Sequence, residues 1–312
     1  MKSPSVLNYE IRPCKFAERK MLLASFARIL GVFKQKYQYI GFGGLAFTDF
    51  KLFHKELNIN SMFSIEEKYN INKLNFNKPF SCIEIKHGNS TAMLAEIDLT
   101  TPSIIWLDYD NVLSMTCFAD IKILFDALPH GSIFVMSCNR QLRNDEDPIR
   151  PYTRDELNEK FINLVPYDIE DNCCTDINAS QTIRRMLEAY CNKVIEDRNR
   201  EGKDKLSFYP LYNIKYEEYR GARMFTYGGI ILNSDYDIDK LNVFDFKFIN
   251  TRDPYEISIP NITYREATEL NKIMDSENDE QQMIDNNILT KPNIEKYKRI
   301  YKFIPNFYDV RL

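Results

Sequence analysis

Between Tyr39 and Glu67 the chain reads YIGFGGLAFTDFKLFHKELNINSMFSIEE, and no other stretch restricts the fold as much. A short apolar run, Gln38 to Gly41, ends in the glycines Gly41, Gly43 and Gly44. Helical spacing follows from Ala46 to Leu57, with Ala46, Phe50, Phe53 and Leu57 on one face. A second apolar run, Ser61 to Glu66, stops at Glu66 and Glu67. Strand, glycine turn, helix and strand make the opening of a nucleotide-binding βαβ unit. Glycines let the backbone turn sharply and come close to a ligand. A carboxylate at the tip of the next strand is placed to hold a ribose diol, because it offers only acceptors.

The same alternation continues downstream. Cys82 to His87, Ser103 to Asp108 and Ser132 to Ser137 read as strands, and Thr116 to Leu128 as a helix. Strands alternating with helices predict an α/β protein with a mostly parallel sheet covered on both faces. Ahead of this unit, residues 15–34 read as a helix with Phe16, Leu23, Phe26, Ala27, Leu30 and Phe33 as its apolar positions. After Asn139 a charged loop (140–152) and two helices near 153–164 and 178–197 form an insertion. The run from Glu196 to Lys205 carries no apolar side chain and reads as a solvated turn. Leu211 to Tyr219 and Ala222 to Leu232 read as an antiparallel hairpin closing the sheet edge. Beyond about Tyr236 come short strands (VFDFKFI and YEISIP), two helices, and an acidic loop from Asp275 to Asp285. Three regions follow: a helical segment over 1–37, a cofactor-binding domain over 38–235 with its insertion at about 140–206, and an α+β extension over 236–312.

Composition narrows the function classes. A net charge of -4 argues against a nucleic-acid binder held by overall charge. No run reaches the roughly 18 apolar residues of a membrane helix, and the N-terminus lacks an apolar signal core. The expectation is a cytoplasmic protein without membrane attachment. The 7 cysteines are scattered with no CxxC pair, away from the 3 histidines, so no zinc site is expected. No histidine has a nucleophile at a recognisable spacing, which sets aside a hydrolase. Richness in Asn, Ile, Lys and Tyr suggests an AT-rich bacterial genome or its phage.

The order of these elements resembles class I S-adenosylmethionine-dependent methyltransferases, over roughly Gln38 to Asn139 plus the hairpin at 211–232. The resemblance implies a Rossmann-like methyltransferase sheet and S-adenosylmethionine as cofactor. It places Gly41, Phe42, Gly43 and Gly44 under the methionine end, and Glu66 on the ribose, with Glu67 as the shifted rival. Asn89 and Ser90, closing the third strand after Gly88, fall at the adenine. Asp108 and Asp110, ending the fourth strand, fall at the acceptor, Asp108 also bordering the cofactor, and Asn139 at the end of the fifth strand falls beside the substrate. These two carboxylates can serve as general base for a hydroxyl, or ligate Mg²⁺ with Asn139 as a further oxygen ligand. The sequence lacks the additional matches a metal site would need. Asp108-Tyr109-Asp110-Asn111 is neither the motif of amino-methylating DNA enzymes nor that of cytosine-C5 enzymes.

Two other readings stay open. Tyr39 stands where the family usually has a carboxylate, and Leu45 where a third glycine is common. Both are expected of a drifted scaffold that binds a nucleotide or a partner protein and turns nothing over. A nicotinamide-dependent oxidoreductase fits less well, since Ala46 fills the last glycine position of G-x-G-x-x-G. Around the helix start, Arg12, Lys15, Arg19, Lys20 and Arg28 could meet phosphate or carboxylate, although an ordinary solvated helix face accounts for most of them. Arg12, outside the helix beside Pro13, is the candidate for substrate. The acceptor (small molecule, nucleic acid or protein), a protein partner and a homo-oligomer are all left open.

Overall fold

A computed structural model describes residues 12–202, 205–218, 221–274 and 280–304. The chain opens with helix α1 (Pro13–Phe33) and then alternates. The first half runs β1 (Gln38–Gly41), α2 (Thr48–Leu57), β2 (Met62–Glu66), α3 (Ile71–Asn77), β3 (Ile83–His87), α4 (Ser90–Ala95), β4 (Ser103–Val112), α5 (Met115–Ala127) and β5 (Ile133–Asn139). Helices α6 (Arg154–Phe161) and α7 (Ala179–Glu201) form the insertion. Strands β6 (Leu206–Glu217), β7 (Arg223–Asn233) and β8 (Tyr255–Ile257) follow, then α8 (Tyr264–Ile273), α9 (Glu280–Asp285) and α10 (Lys291–Ile300). The strands make one eight-stranded sheet in the order β3-β2-β1-β4-β5-β7-β6-β8. Strands β1 to β5 are mutually parallel, and β7 lies antiparallel between β5 and β6. The chain therefore reverses its direction of travel across the sheet between β1 and β4, the place where open α/β sheets leave a crevice for ligands.

Alternation along the strands sorts side chains into two cores. Ile40, Ile105, Leu107, Phe134 and Met136 face α4, α5, α6 and α7. Tyr39, Ile104, Trp106, Ile133 and Val135 face α1 and α2, in a cluster that also takes in Ile257 and Ile300. A third small core, including Ala267, Leu270, Met283, Ile294 and Tyr297, lies wholly within α8 to α10 and their connections. Among the described residues no helix is long and apolar enough to cross a membrane.

Several expectations need correction. The buried positions of α1 include Met21, Leu22, Ser25, Phe26 and Ile29, together with the charged Lys15, Glu18 and Arg19. That helix carries apolar residues all round, so spacing alone cannot say which side is covered. Residues 196–201 continue α7 rather than turning, because polar side chains do the docking. Arg198 Nη1 donates to the carbonyls of Phe125 and Leu128, and Asn199 exchanges two hydrogen bonds with Leu206. The β6–β7 pair is not the sheet edge, since β8 lies outside β6. VFDFKFI is no strand: Asn242 and Asn250 sit at φ 55° and 51° on either side, and the chain between them folds into i→i+3 turns. Residues 280–285 form α9 instead of a loop, while 275–279 lie outside the described residues.

Candidate active site

Phe42, Gly43, Gly44, Glu66, Asp108 and Asp110 come together in one cleft at the switch point, joined by Arg19, Ala46, Thr48 and Asp49. Three strand ends build it. Gly41 closes β1 in register with Ser64 of β2 and Trp106 of β4, so the glycine turn leaves between the tips of these two strands. Gly44 lies at φ 54°, a left-handed conformation natural to glycine. A Cβ on Gly43 would stand 2.4 Å from Ser64 Oγ and 2.8 Å from the Phe47 ring, so a side chain there would force the turn apart.

Glu66, the last residue of β2, reaches across to the turn, where the Gly44 N–H donates to its Oε1 at 2.5 Å. Burial raises the Glu66 pKa, the Gly44 hydrogen bond opposes the rise, and the Asp110 carboxylate adds to it. Asp110 is raised too, by protein crowding around a carboxyl open on one side, and by the neighbouring Asp108. On β4 the pairing with β5 slips between Asp108 and Val112. That irregularity carries Asp110 out over the strand tip, as bulges near active sites do. Tyr109 points the other way, donating to Asp120 Oδ2 at 2.6 Å and packing edge-on against Phe42.

The largest departure from the sequence reading lies beneath the cleft. Lys15 and Arg19 are not on a solvated face. Lys15 Nζ donates to Asp108 Oδ1 and ion-pairs with Glu18 Oε2, each at 2.8 Å, and sits 4.3 Å from the centre of the Trp106 ring. Burial works against its charge, but Asp108 and Glu18 outweigh burial and hold the lysine above its usual pKa. Glu18, fully buried, also accepts from Tyr216 and Thr226. Thr226 in turn shares a hydrogen bond with Ser137, which accepts from the Trp106 indole. Arg19 Nε pairs with Asp49 Oδ1 at 2.5 Å. A connected set of buried polar groups thus ties α1 to β4, β5, β6 and β7.

The remaining candidates lie outside the enclosed cleft. Arg12 stands at the start of α1, its Nε 3.7 Å from Glu218 Oε1. Asn89 caps α4: its Oδ1 accepts from the Ala92 N–H, and Ser90 is the first residue of that helix. Asn139 ends β5, and its Oδ1 accepts from the Gln141 N–H rather than joining Asp108 and Asp110. Gly41 is buried in the sheet. Among the described residues no group of three or more His, Cys, Asp or Glu side chains is arranged for a metal. Sequence reasoning passed over Asp49 and Thr48 at the start of α2, and Glu18. Only Glu18 had a signal, the Lys15-x-x-Glu18 spacing at which helical side chains meet.

The fold and cleft define an α/β protein with a polar cleft at the switch point of its sheet. A family model described as "Putative O-methyltransferase" matches residues 7–312, and the chain belongs to that family. No curated protein matches it. Among solved structures it is similar to Trm1 from Pyrococcus horikoshii with S-adenosyl-L-methionine, at 11% identity over 98% of this chain and 81% of that one, TM-score 0.46. Human N-acetylserotonin methyltransferase in complex with SAM is 10% identical over 68% of this chain and 51% of that one, TM-score 0.35. LepI in complex with SAH and a substrate analogue is 12% identical over 63% of this chain and 43% of that one, TM-score 0.34. The chain spans about half the length of the last two.

Proposed function

We propose that this protein transfers a methyl group from S-adenosylmethionine to an acceptor oxygen. The observation behind the reading is the meeting of the Phe42–Gly44 turn, the Glu66 carboxylate and the Asp108–Asp110 pair at the switch point between β1 and β4. Membership in the family supports it. The residues fit the cofactor. Glu66 offers acceptors for a ribose diol, and Thr48 lines the cleft with its Oγ1 buried and without a hydrogen-bond partner among the described residues. The enclosed part of the cleft measures about 60 Å³, well under the roughly 300–1,000 Å³ of pockets that engulf a ligand. It therefore takes the polar groups at one end of a ligand whose remainder lies in the open groove.

When bound, S-adenosylmethionine supplies a methyl group on a positively charged sulfur. The chain's own residues do the rest. Asp110, with its raised pKa, is the general base for the acceptor hydroxyl. Asp108 is held by Lys15, so its part is to fix the strand tip and keep negative charge beside Asp110. Asn89 would border the adenine from the cap of α4, and Arg12 would approach the acceptor. Cytoplasmic location in a bacterium agrees with the composition.

Calorimetric titration with S-adenosylmethionine, S-adenosylhomocysteine and NAD tests this. Micromolar binding of the first two and none of NAD is expected; no binding of any would overturn the reading and favour a drifted scaffold. The titration should also depend on pH. Glu66 must be ionised to accept from the ribose, and burial raises its pKa. Affinity should therefore fall as pH drops below neutrality, at a higher pH than for an unperturbed carboxylate. Affinity flat across that window would remove Glu66 from the site.

A further inference from the structure

Helices α8, α9 and α10 share the third core, in which Leu270, Met283, Ile294 and Tyr297 are buried. None of them lines the cleft. A tight turn joins the last two. At the end of α9, Asn287 lies at φ 54°, its N–H donates to the Ile284 carbonyl, and the Ile288 N–H reaches back to the Met283 carbonyl. These are the two bonds of a left-handed helix cap. Thr290 and Pro292 then start α10, where a proline in the first turn costs no hydrogen bond. Two side-chain contacts fasten α10 to its neighbours. Tyr297 Oη donates to Asn271 Oδ1 of α8 at 2.7 Å, and Lys298 pairs with Glu280 at the start of α9. Two helices joined by a short turn and packed on a third are the arrangement that presents a recognition helix to DNA.

The outer face of α10 carries the charge such a helix needs. Ile294, Tyr297 and Ile300 occupy its buried side. Lys291, Lys296 and Arg299 lie opposite, within about 140° of one another at 3.6 residues per turn, and all three are exposed. None of the three has an ion-pair partner among the described residues. Lys302, exposed just beyond the helix, adds a charge that it shares with Asp245. The one carboxylate of α10, Glu295, lies 4.0 Å from Lys298. Gln282, Asn286 and Asn287, exposed on α9 and the turn, add uncharged polar groups beside the row. The net charge of -4 excludes a binder held by overall charge, but not a local row, because salt confines each charge to about 8–10 Å.

We propose that α8 to α10 form a docking unit for double-stranded DNA, with α10 in the major groove and Lys291, Lys296 and Arg299 on the phosphates beside it. The major groove, about 12 Å wide, admits a helix, and α10 is roughly 15 Å long. The inference goes beyond the methyl-transfer reading and does not rest on it, since the unit would hold the protein on DNA whatever the cleft does.

Fluorescence anisotropy of a labelled duplex of about 30 base pairs, titrated with the full chain, tests the proposal. The expected Kd is about 1–100 µM at physiological salt, with log affinity falling against log salt at a slope of roughly -3. Lys296→Gln/Arg299→Gln should weaken binding about tenfold or more and make the slope shallower by about 2. Lys36→Gln/Lys55→Gln removes the same charge from exposed positions outside the unit and should leave binding unchanged. All four side chains are exposed, so both variants should keep the wild-type melting temperature. Absence of duplex binding at about 50 mM salt would overturn the proposal. So would equal losses in the two variants, which would mark a general charge effect. Tighter binding of an RNA duplex or a single strand of the same sequence would also overturn it, because neither offers a helix the open major groove of B-form DNA.

Discussion

Replacing Lys15 by methionine should destabilise the protein by about 3–5 kcal/mol, the cost of removing one partner from a buried ion pair. Methionine matches the length of the stem, so the loss is of charge more than of volume. Glu18 would keep only its neutral donors, and Asp108, 15% exposed, would lose its only charged hydrogen-bond donor in the described structure. The sign with pH is clear. A lysine whose folded pKa is raised contributes fully below its unfolded value of about 10.4 and loses that contribution only as pH rises through the folded pKa. The full effect is therefore present at neutrality. Urea unfolding should show a lower midpoint with an unchanged slope, and the melting temperature should fall by roughly 5–8 °C. Lys15→Met/Glu18→Met should cost less than the two single changes added together, because the groups couple directly. A loss below about 1 kcal/mol for Lys15→Met would show that water or rearrangement compensates the carboxylates.

Glu66→Ala is expected to weaken S-adenosylhomocysteine binding by about 30- to 1,000-fold. Two hydrogen bonds from ribose hydroxyls to one carboxylate are together worth about 2–4 kcal/mol. The same substitution should cost little stability, since burial in the folded protein already disfavours the Glu66 charge. Glu66→Gln preserves an acceptor for the Gly44 N–H but has one acceptor oxygen instead of two, so its affinity should fall between wild type and alanine. Parallel calorimetry and thermal unfolding separate the outcomes. Full affinity in Glu66→Ala would move the ribose contact elsewhere, with Glu67 the first alternative. A loss of affinity matched by a loss of fold would make Glu66 structural.

Most of the parallel sheet could be read directly. Glycine clusters, β-branched runs and helical spacing are short-range signals, and each reflects forces acting within about ten residues. Hence β1 falls at Gln38–Gly41, and β2 ends at Glu66. Small helices such as α3 and α4 escaped notice because each is under two turns long, with Leu74 and Leu94 as their only buried residues. Asn89 shows a different difficulty. Gly-Asn at a strand end suits an adenine contact and a helix cap equally, and only the position of the Ala92 N–H shows the cap.

The glycine turn, the Glu66 tip and the strand–helix rhythm were written into local sequence, because each needs only neighbouring residues to be recognised. What α1 does was decided by tertiary structure alone. Lys15 meets Asp108 across 93 residues, and Glu18 meets Thr226 across 208. A lysine on a helix is normally solvated, since burying its charge alone is prohibitive. It becomes a core residue only when distant carboxylates arrive to neutralise it, and no local pattern can announce partners that the fold itself assembles.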